Sequence, residues 1–356
     1  MKQKNILFFV PLLCLVSCNN VSQDPSDSQN NSHGNNSTPV ASAGFDKENN
    51  PLYLNSENSI VSDPKWTQGF ALKSCETTGA HIVGNLDYNG TTKREPFWQM
   101  AQWWAPETYN FINSEYSLVS EGVHKYENES RRAIIDTEEG SIQMALDSQK
   151  EYMERYGQSE RPSDKPWSHF LLEQTFDPSR QFYVSTLESL TLSFDFSIDE
   201  CTYTGDKEDG RNEAAQLHFY LRMYNTPLEG EESEVGSRGS NVWIGFPLFD
   251  SRYDFVDEYR QADVGFTGAT GALICSTTSR NYINEKIQYR KTYHVEIDAL
   301  EYIKDAFLYG ASNDYLPNCL WTNMVLRYLN IGWELPGAFS VASTFSNLNI
   351  TYTLKE

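Results

Sequence analysis

An all-β fold, an antiparallel β-sandwich or jelly roll carrying one or two short inserted helices, is what this 356-residue sequence predicts. Three observations predict it. Apolar and polar residues alternate through most of the chain after its first forty residues. Clusters of Gly, Asn, Asp and Pro separate the alternating stretches. Helical period is confined to two short segments. Alternation puts every apolar side chain of a strand on one face, whereas a helix would scatter them around its axis. Strands with one buried face are typical of antiparallel sheets.

The chain opens on a leader. Lys2 and Lys4 form a basic start, and Ile6 to Val16 is apolar apart from Pro11 and Cys14. That run suits a signal peptide, 1–17, and is too short for a permanent membrane span. Its end, Leu15-Val16-Ser17-Cys18, resembles a bacterial lipobox, in which the small residue before the cysteine is the cleavage point. The resemblance implies that Cys18 becomes the lipidated, palmitate-carrying first residue of the mature protein. It also implies a bacterial cell-envelope location, on the outer membrane or cell surface. Residues 18–44 are Asn, Ser, Asp and Pro with almost nothing apolar, so they are expected to be a disordered tether. The rest, 45–356, is expected to be one β-sandwich domain, with no second linker and no internal repeat.

The strands follow in order. Ser141 to Leu146 alternates through Ile142, Met144 and Leu146, and a short helical turn is expected in Gln149 to Tyr156. Trp167 to Phe176 places Phe170, Leu172 and Phe176 on one parity and Trp167, His169 and Glu173 on the other. Its three consecutive apolar residues fit a strand buried on both faces. Leu190 to Ile198 is apolar at every even position. Ala215 to Tyr224 alternates through Leu217, Phe219, Leu221 and Met223. Val242 to Arg252 is almost wholly apolar until it ends on Asp250 and Arg252. Asp298 is a plausible N-cap for a helix whose stripe is Leu300, Ile303, Ala306 and Phe307, with Gly310 as its stop. Asn330 to Gly337 sets Tyr328, Asn330 and Glu334 against Ile331, Trp333 and Leu335. Leu348 to Leu354 closes the chain as a strand.

Composition narrows the partners. A formal charge of -21 without clustered Lys and Arg excludes a phosphate-tracking surface, so no nucleic acid is expected. Cys75, Cys201, Cys275 and Cys319 are spaced too widely for a compact zinc site. Their pairing is open, and no disulfide is assigned. No metal or cofactor is expected; a structural calcium is possible but not indicated.

The candidate site lies on the polar parities. With Leu217, Phe219 and Leu221 turned to the core, Gln216, His218, Tyr220 and Arg222 line the opposite face as amide, imidazole, phenol and guanidinium. Sugars need planar partners for neighbouring hydroxyls and an aromatic face for their C–H surface, so the row suits a glycan. Trp167, His169 and Glu173 read the same way, and a buried Glu173 would need a cation such as Arg252. Asp250 and Arg252 would share a face if their strand continues. Gly332, between Asn330 and Glu334, removes a side chain and admits either a ligand or a neighbouring backbone.

The runs Val242 to Arg252, Asn330 to Gly337 and Pro166 to Gln174 resemble uncharacterised extracellular β-sandwich lipoproteins of polysaccharide-using bacteria. The resemblance covers about Trp66 to Glu356. It implies a concanavalin-like or jelly-roll fold and a glycan-related role, and transfers no catalytic residue. Gln216-Leu217-His218 is also similar to the Gln-x-His motif of alginate-lyase-type jelly rolls. That likeness implies an amide that neutralises a uronate carboxylate, His218 as base and Tyr220 as acid, although the family's companion motifs are missing here. Glu296-Ile-Asp298-Ala-Leu-Glu301 resembles the laminarinase-type hydrolase signature, but helical period after Asp298 takes Glu301 off the strand face. The expected function is carbohydrate binding by a surface lipoprotein through a polar and aromatic sheet face. The alternatives are a polysaccharide lyase or hydrolase, and a structural or adhesion lipoprotein without a sugar ligand.

Overall fold

The computed structural model describes residues 59–77, 79–176, 182–206, 213–226, 239–264 and 270–355. The signal segment, Cys18, the tether and the expected domain start at residue 45 lie outside the described residues. In chain order the first elements are β1 (Phe70–Lys73), β2 (Ile82–Leu86), β3 (Trp98–Ala101), β4 (Glu115–Ser120), β5 (Val123–Glu127), β6 (Arg131–Asp136) and β7 (Ser141–Asp147). Next come α1 (Ser148–Tyr156), β8 (Ser168–Thr175), β9 (Phe182–Tyr183), β10 (Leu187–Tyr203), β11 (Gln216–Asn225) and β12 (Asn241–Asp250). The chain closes with β13 (Tyr259–Ala262), β14 (Leu273–Ser276), β15 (Thr292–Asp298), α2 (Ala299–Ser312), β16 (Met324–Leu335) and β17 (Phe339–Leu354).

These strands make a β-sandwich. A ten-stranded sheet runs β13-β14-β12-β11-β16-β8-β3-β1-β2, with β9 also paired to β16, and a seven-stranded sheet runs β15-β10-β17-β7-β6-β5-β4. Neighbouring strands are antiparallel except for β1 with β3 and β12 with β14. Alternation within a strand carries no direction, so those two parallel pairs are invisible in the sequence.

The core lies between the sheets. Leu190, Leu192, Phe194, Phe196 and Ile198 of β10 are all buried, as are Leu217, Phe219, Leu221 and Met223 of β11. The Phe194 and Phe219 rings stack across the gap at 5.5 Å. Each such side chain contributes about 1.5–3 kcal/mol by leaving water. Alternation in β7 and β17 also matches the buried face, except that Leu354, at the end of β17, is exposed.

Both helices are capped by the aspartate before them. Asp147 accepts from Lys150 N, and Asp298 accepts from Leu300 N. Gly310 does not stop α2, which runs on to Ser312. A β-carbon at Gly310 would come within 2.8 Å of Leu316 and 3.1 Å of Leu273, so this glycine serves close packing. The four cysteines are free thiols. Among the described residues no helix is long and apolar enough to cross a membrane, and no group of three His, Cys, Asp or Glu is placed to hold a metal.

Candidate functional site

The side of the ten-stranded sheet turned away from the core is polar, and register assembles it row by row. Gln216 lies opposite Asp250 on β12 and Glu334 on β16, and Glu334 lies opposite His169 on β8. Four residues further along β11, Tyr220 lies opposite Gly245 and Asn330, and Asn330 opposite Glu173. Arg222 follows, opposite Trp243 and Tyr328. The residues proposed from the sequence for a glycan site therefore fall on this one face or at its rim. The face is not solvated: Gln216, His218, Tyr220, Arg222, Asn330 and Glu334 are each less than 5% exposed.

Three tryptophan-bearing clusters, separate from the main core, include or adjoin residues of this face. Trp243 packs with Tyr220, Ala272 and Ile274. Trp167 packs with Tyr152 and Ala338. Trp103 packs with Ala80, Ala101 and Leu171, with Trp104 against them. Aromatic side chains beside polar ones supply the stacking and hydrogen bonding that a sugar chain requires.

At one end of the floor, Trp167 Nε1 donates to Glu334 Oε2 at 3.4 Å, and the Trp167 and His169 rings stack at 6.0 Å. His169 Nε2 lies 3.5 Å from the same carboxylate oxygen. Gln216 Nε2 donates to Asp250 Oδ2 at 2.8 Å. The strand ends at Asp250, and Arg252 folds back from the turn to give it Nε at 2.9 Å and Nη2 at 2.6 Å. Burial alone would raise the Asp250 carboxyl, but Arg252 and the Gln216 amide hold it below the usual carboxylate range.

The expected Glu173–Arg252 pair is not made. Glu173 bonds Lys73 of β1, whose ammonium also lies 5.2 Å from the Trp103 ring and 5.9 Å from that of Tyr328. Glu173 is in the Tyr220 row and Arg252 beyond the Gln216 row, so strand length separates them. Gly332 resolves the other open point in favour of backbone. With φ at 152°, it stands where a β-carbon would be 2.3 Å from Phe170 O.

The middle of the floor carries the reactive groups. The rings of His218 and Tyr220 are 5.4 Å apart. Both His218 ring nitrogens, the Tyr220 and Ser276 hydroxyls and Trp243 Nε1 are buried without a hydrogen-bond partner among the described residues. Each such group costs about 1–3 kcal/mol until something supplies a partner. Burial lowers the His218 imidazole, against the charges of Glu334 and Asp250, so it is neutral near pH 7. Burial, with the Glu334 charge, holds the Tyr220 phenol well above its usual value; the nearby Ser276 hydroxyl tempers this without reaching hydrogen-bond geometry. A neutral imidazole beside a protonated phenol can take one proton and return another.

Sequence reasoning missed Ser276, Gly245, Trp243, Lys73 and Asp263. Trp243 was legible, since it stands on the opposite parity from Val242, Ile244 and Phe246. Asp263 is fully buried, accepts from Thr270 N and Oγ1 at 2.7 Å, and is raised by burial to about 6. The laminarinase-like acids lie elsewhere. Glu296 is exposed on β15, an edge strand of the other sheet, and Asp298 is occupied as the cap of α2.

No protein-family model and no curated protein matches this chain. Among solved structures it is similar to a thermostable cellulase derived from the Cel12A cellulase of Rhodothermus marinus, with 10% identity over 72% of this chain and 100% of that one, at a TM-score of 0.39. A metagenome-derived glycoside hydrolase family 12 endoglucanase matches at 12% identity over 68% of this chain and 96% of that one, TM-score 0.36. The family 11 xylanase from Neocallimastix patriciarum matches at 11% over 68% and 96%, TM-score 0.35. At these values the likeness assigns no activity to this chain.

Proposed function

We propose that this chain is a polysaccharide-degrading enzyme of the bacterial cell envelope, with His218 and Tyr220 as its reacting groups. The observation that carries the reading is the buried His218–Tyr220 pair, whose ring nitrogens and hydroxyl have no hydrogen-bond partner among the described residues, on a sheet face that also carries Trp243. A merely structural histidine in such a place would be bonded. The chemistry that fits is proton transfer. His218 takes the proton from the carbon beside a uronate carboxylate, the bond from the neighbouring carbon to the leaving sugar oxygen breaks, a carbon–carbon double bond forms, and Tyr220 protonates the leaving oxygen. Gln216 is a poor partner for the uronate carboxylate, because its amide donates to Asp250 and Glu334 flanks it. Arg222, in the next outward-facing position after Tyr220, places a guanidinium on the floor; its Nε and Nη2 donate to Asn241 Oδ1 at 3.1 and 2.9 Å, so a uronate carboxylate would share that guanidinium with Asn241.

A second reading has its own support. Asp250 is tied to Arg252 and Glu173 to Lys73, whereas Glu334 meets an indole N–H and an imidazole. That leaves Glu334 as the carboxylate for hydrolysis of a neutral chain, with a second acid. The test is incubation of the purified protein with a panel of acidic and neutral polysaccharides. New ultraviolet absorbance from the double bond supports elimination. New reducing ends without absorbance support hydrolysis. Retention without products leaves a binding protein, and neither retention nor products removes the glycan reading.

The anchor completes the proposal and rests on the lipobox-like Leu15 to Cys18 and the tether that follows. Cys18→Ala should release the protein from membranes or block its processing. Unchanged fractionation of that variant would remove the anchor.

A further inference from the structure

We propose that Trp104, Arg155 and Tyr156 form an outer sugar subsite beyond the Trp167 end of the polar floor. The inference rests on the reading of that floor as a glycan site and adds that the ligand is a chain long enough to reach past it. Trp104 is partly buried and holds φ at 64°, a conformation bulky residues seldom adopt, fixed by donation of its backbone N–H to Cys75 O at 2.7 Å. The Arg155 guanidinium lies 5.8 Å from the Trp104 ring and 4.7 Å from the Tyr156 ring, between the two. Its Nη1 is buried without an acceptor among the described residues, and Arg155 forms no ion pair there.

A partly exposed indole beside a guanidinium with an unused donor matches a sugar ring, whose C–H face stacks while a ring substituent oxygen accepts. Packing joins this group to the floor. Trp104 packs against the Trp103 and Leu171 cluster, and Tyr156 against the cluster of Tyr152, Trp167 and Ala338, in which the Trp167 indole reaches Glu334.

The experiment compares chain lengths. A hexasaccharide and a trisaccharide are cut from whichever polysaccharide the wild type retains on a glycan array, and both are titrated calorimetrically. Trp104→Gly is the first variant, because glycine accepts the local backbone without strain. Arg155→Met, which keeps the aliphatic stem, is the second. Each should weaken the hexasaccharide about tenfold, as loss of one stacking or charged hydrogen-bonding contact does, and leave the trisaccharide within about twofold. Equal loss for both lengths, or no loss for either, overturns the subsite and leaves the floor standing. Should Trp104→Gly fail to fold, the same outcomes are read from Arg155→Met alone. His218→Ala, in contrast, should affect both lengths; if it affects neither while the wild type binds, the floor reading falls instead. If the array retains no polysaccharide, both fall together.

Discussion

Gly245 stands opposite Tyr220, and a β-carbon there would lie 2.6 Å from the Tyr220 ring and 2.1 Å from Ser276 Oγ. The missing side chain lets two hydroxyl-bearing residues from β11 and β14 approach each other across β12. Gly245→Ala should therefore cost about 1–3 kcal/mol through overpacking and abolish glycan turnover or binding by moving Tyr220. Adding Ser276→Gly, which clears the nearer clash, should recover much of the lost stability. Thermal melts and glycan titration of the single and double variants check this; equal stability of Gly245→Ala and wild type would contradict the packing.

His218 should titrate below 6.5, because burial disfavours its charged form. The folded value is depressed, so its contribution to stability is complete above the unfolded value and is lost as pH falls through it toward the folded one. Activity should share that acid limb, since a protonated imidazole is no base. Imidazole resonances followed by NMR give the value directly. Titration at or above 6.5 would mean that His218 is solvated or paired.

Asp263 works in the opposite sense. Its carboxyl is raised from 3.8 to about 6, so folding favours the protonated form and stability falls as pH rises through about 6. Asp263→Asn keeps an acceptor for Thr270 and should stabilise the protein at pH 8 by up to about 3 kcal/mol, the equivalent of that shift. At pH 4 the gain should vanish. Melting temperatures of both proteins at the two pH values decide it, and a destabilised variant at pH 8 would show that the charge is needed.

Arg131 and Glu151 form a fully buried pair, Nη2 to Oε1 at 3.1 Å, and Arg131 Nη2 also donates to His169 O at 3.1 Å. The pair joins α1 to β6 and to the strand that carries His169 and Glu173. Glu151→Ala should destabilise by about 3–5 kcal/mol, since it strands a buried guanidinium. Replacing both residues with apolar ones of similar size should cost much less. Denaturant unfolding of the two variants makes the comparison, and a single variant as stable as the double would refute it.

Some of this molecule was legible in the sequence. Strict alternation in Leu190 to Ile198 and Ala215 to Tyr224 identifies strands and their core faces, because side chains two apart must share a face whatever the partner strand. The same rule placed Gln216, His218, Tyr220 and Arg222 together, and Asn330 with Glu334. Asp298 announces its helix because capping is a local bond between near neighbours, a signal that Asp147 also carries but that sequence reasoning missed there. Gly310 misled, because a glycine chosen for close contact with Leu273 and Leu316 looks the same in sequence as one that ends a helix.

What only the tertiary structure decided is what lies across from what. Lys73 rather than Arg252 meets Glu173, Gly245 opens a space between Tyr220 and Ser276, and Asp263 is buried against Thr270. Each depends on strand order and register between segments tens to hundreds of residues apart. The polar row gave no sign in sequence of being buried, since alternation separates two faces and says nothing about what covers the second. Local periodicity determines which side chains point together; only packing determines their partners, their burial and, through these, their chemistry.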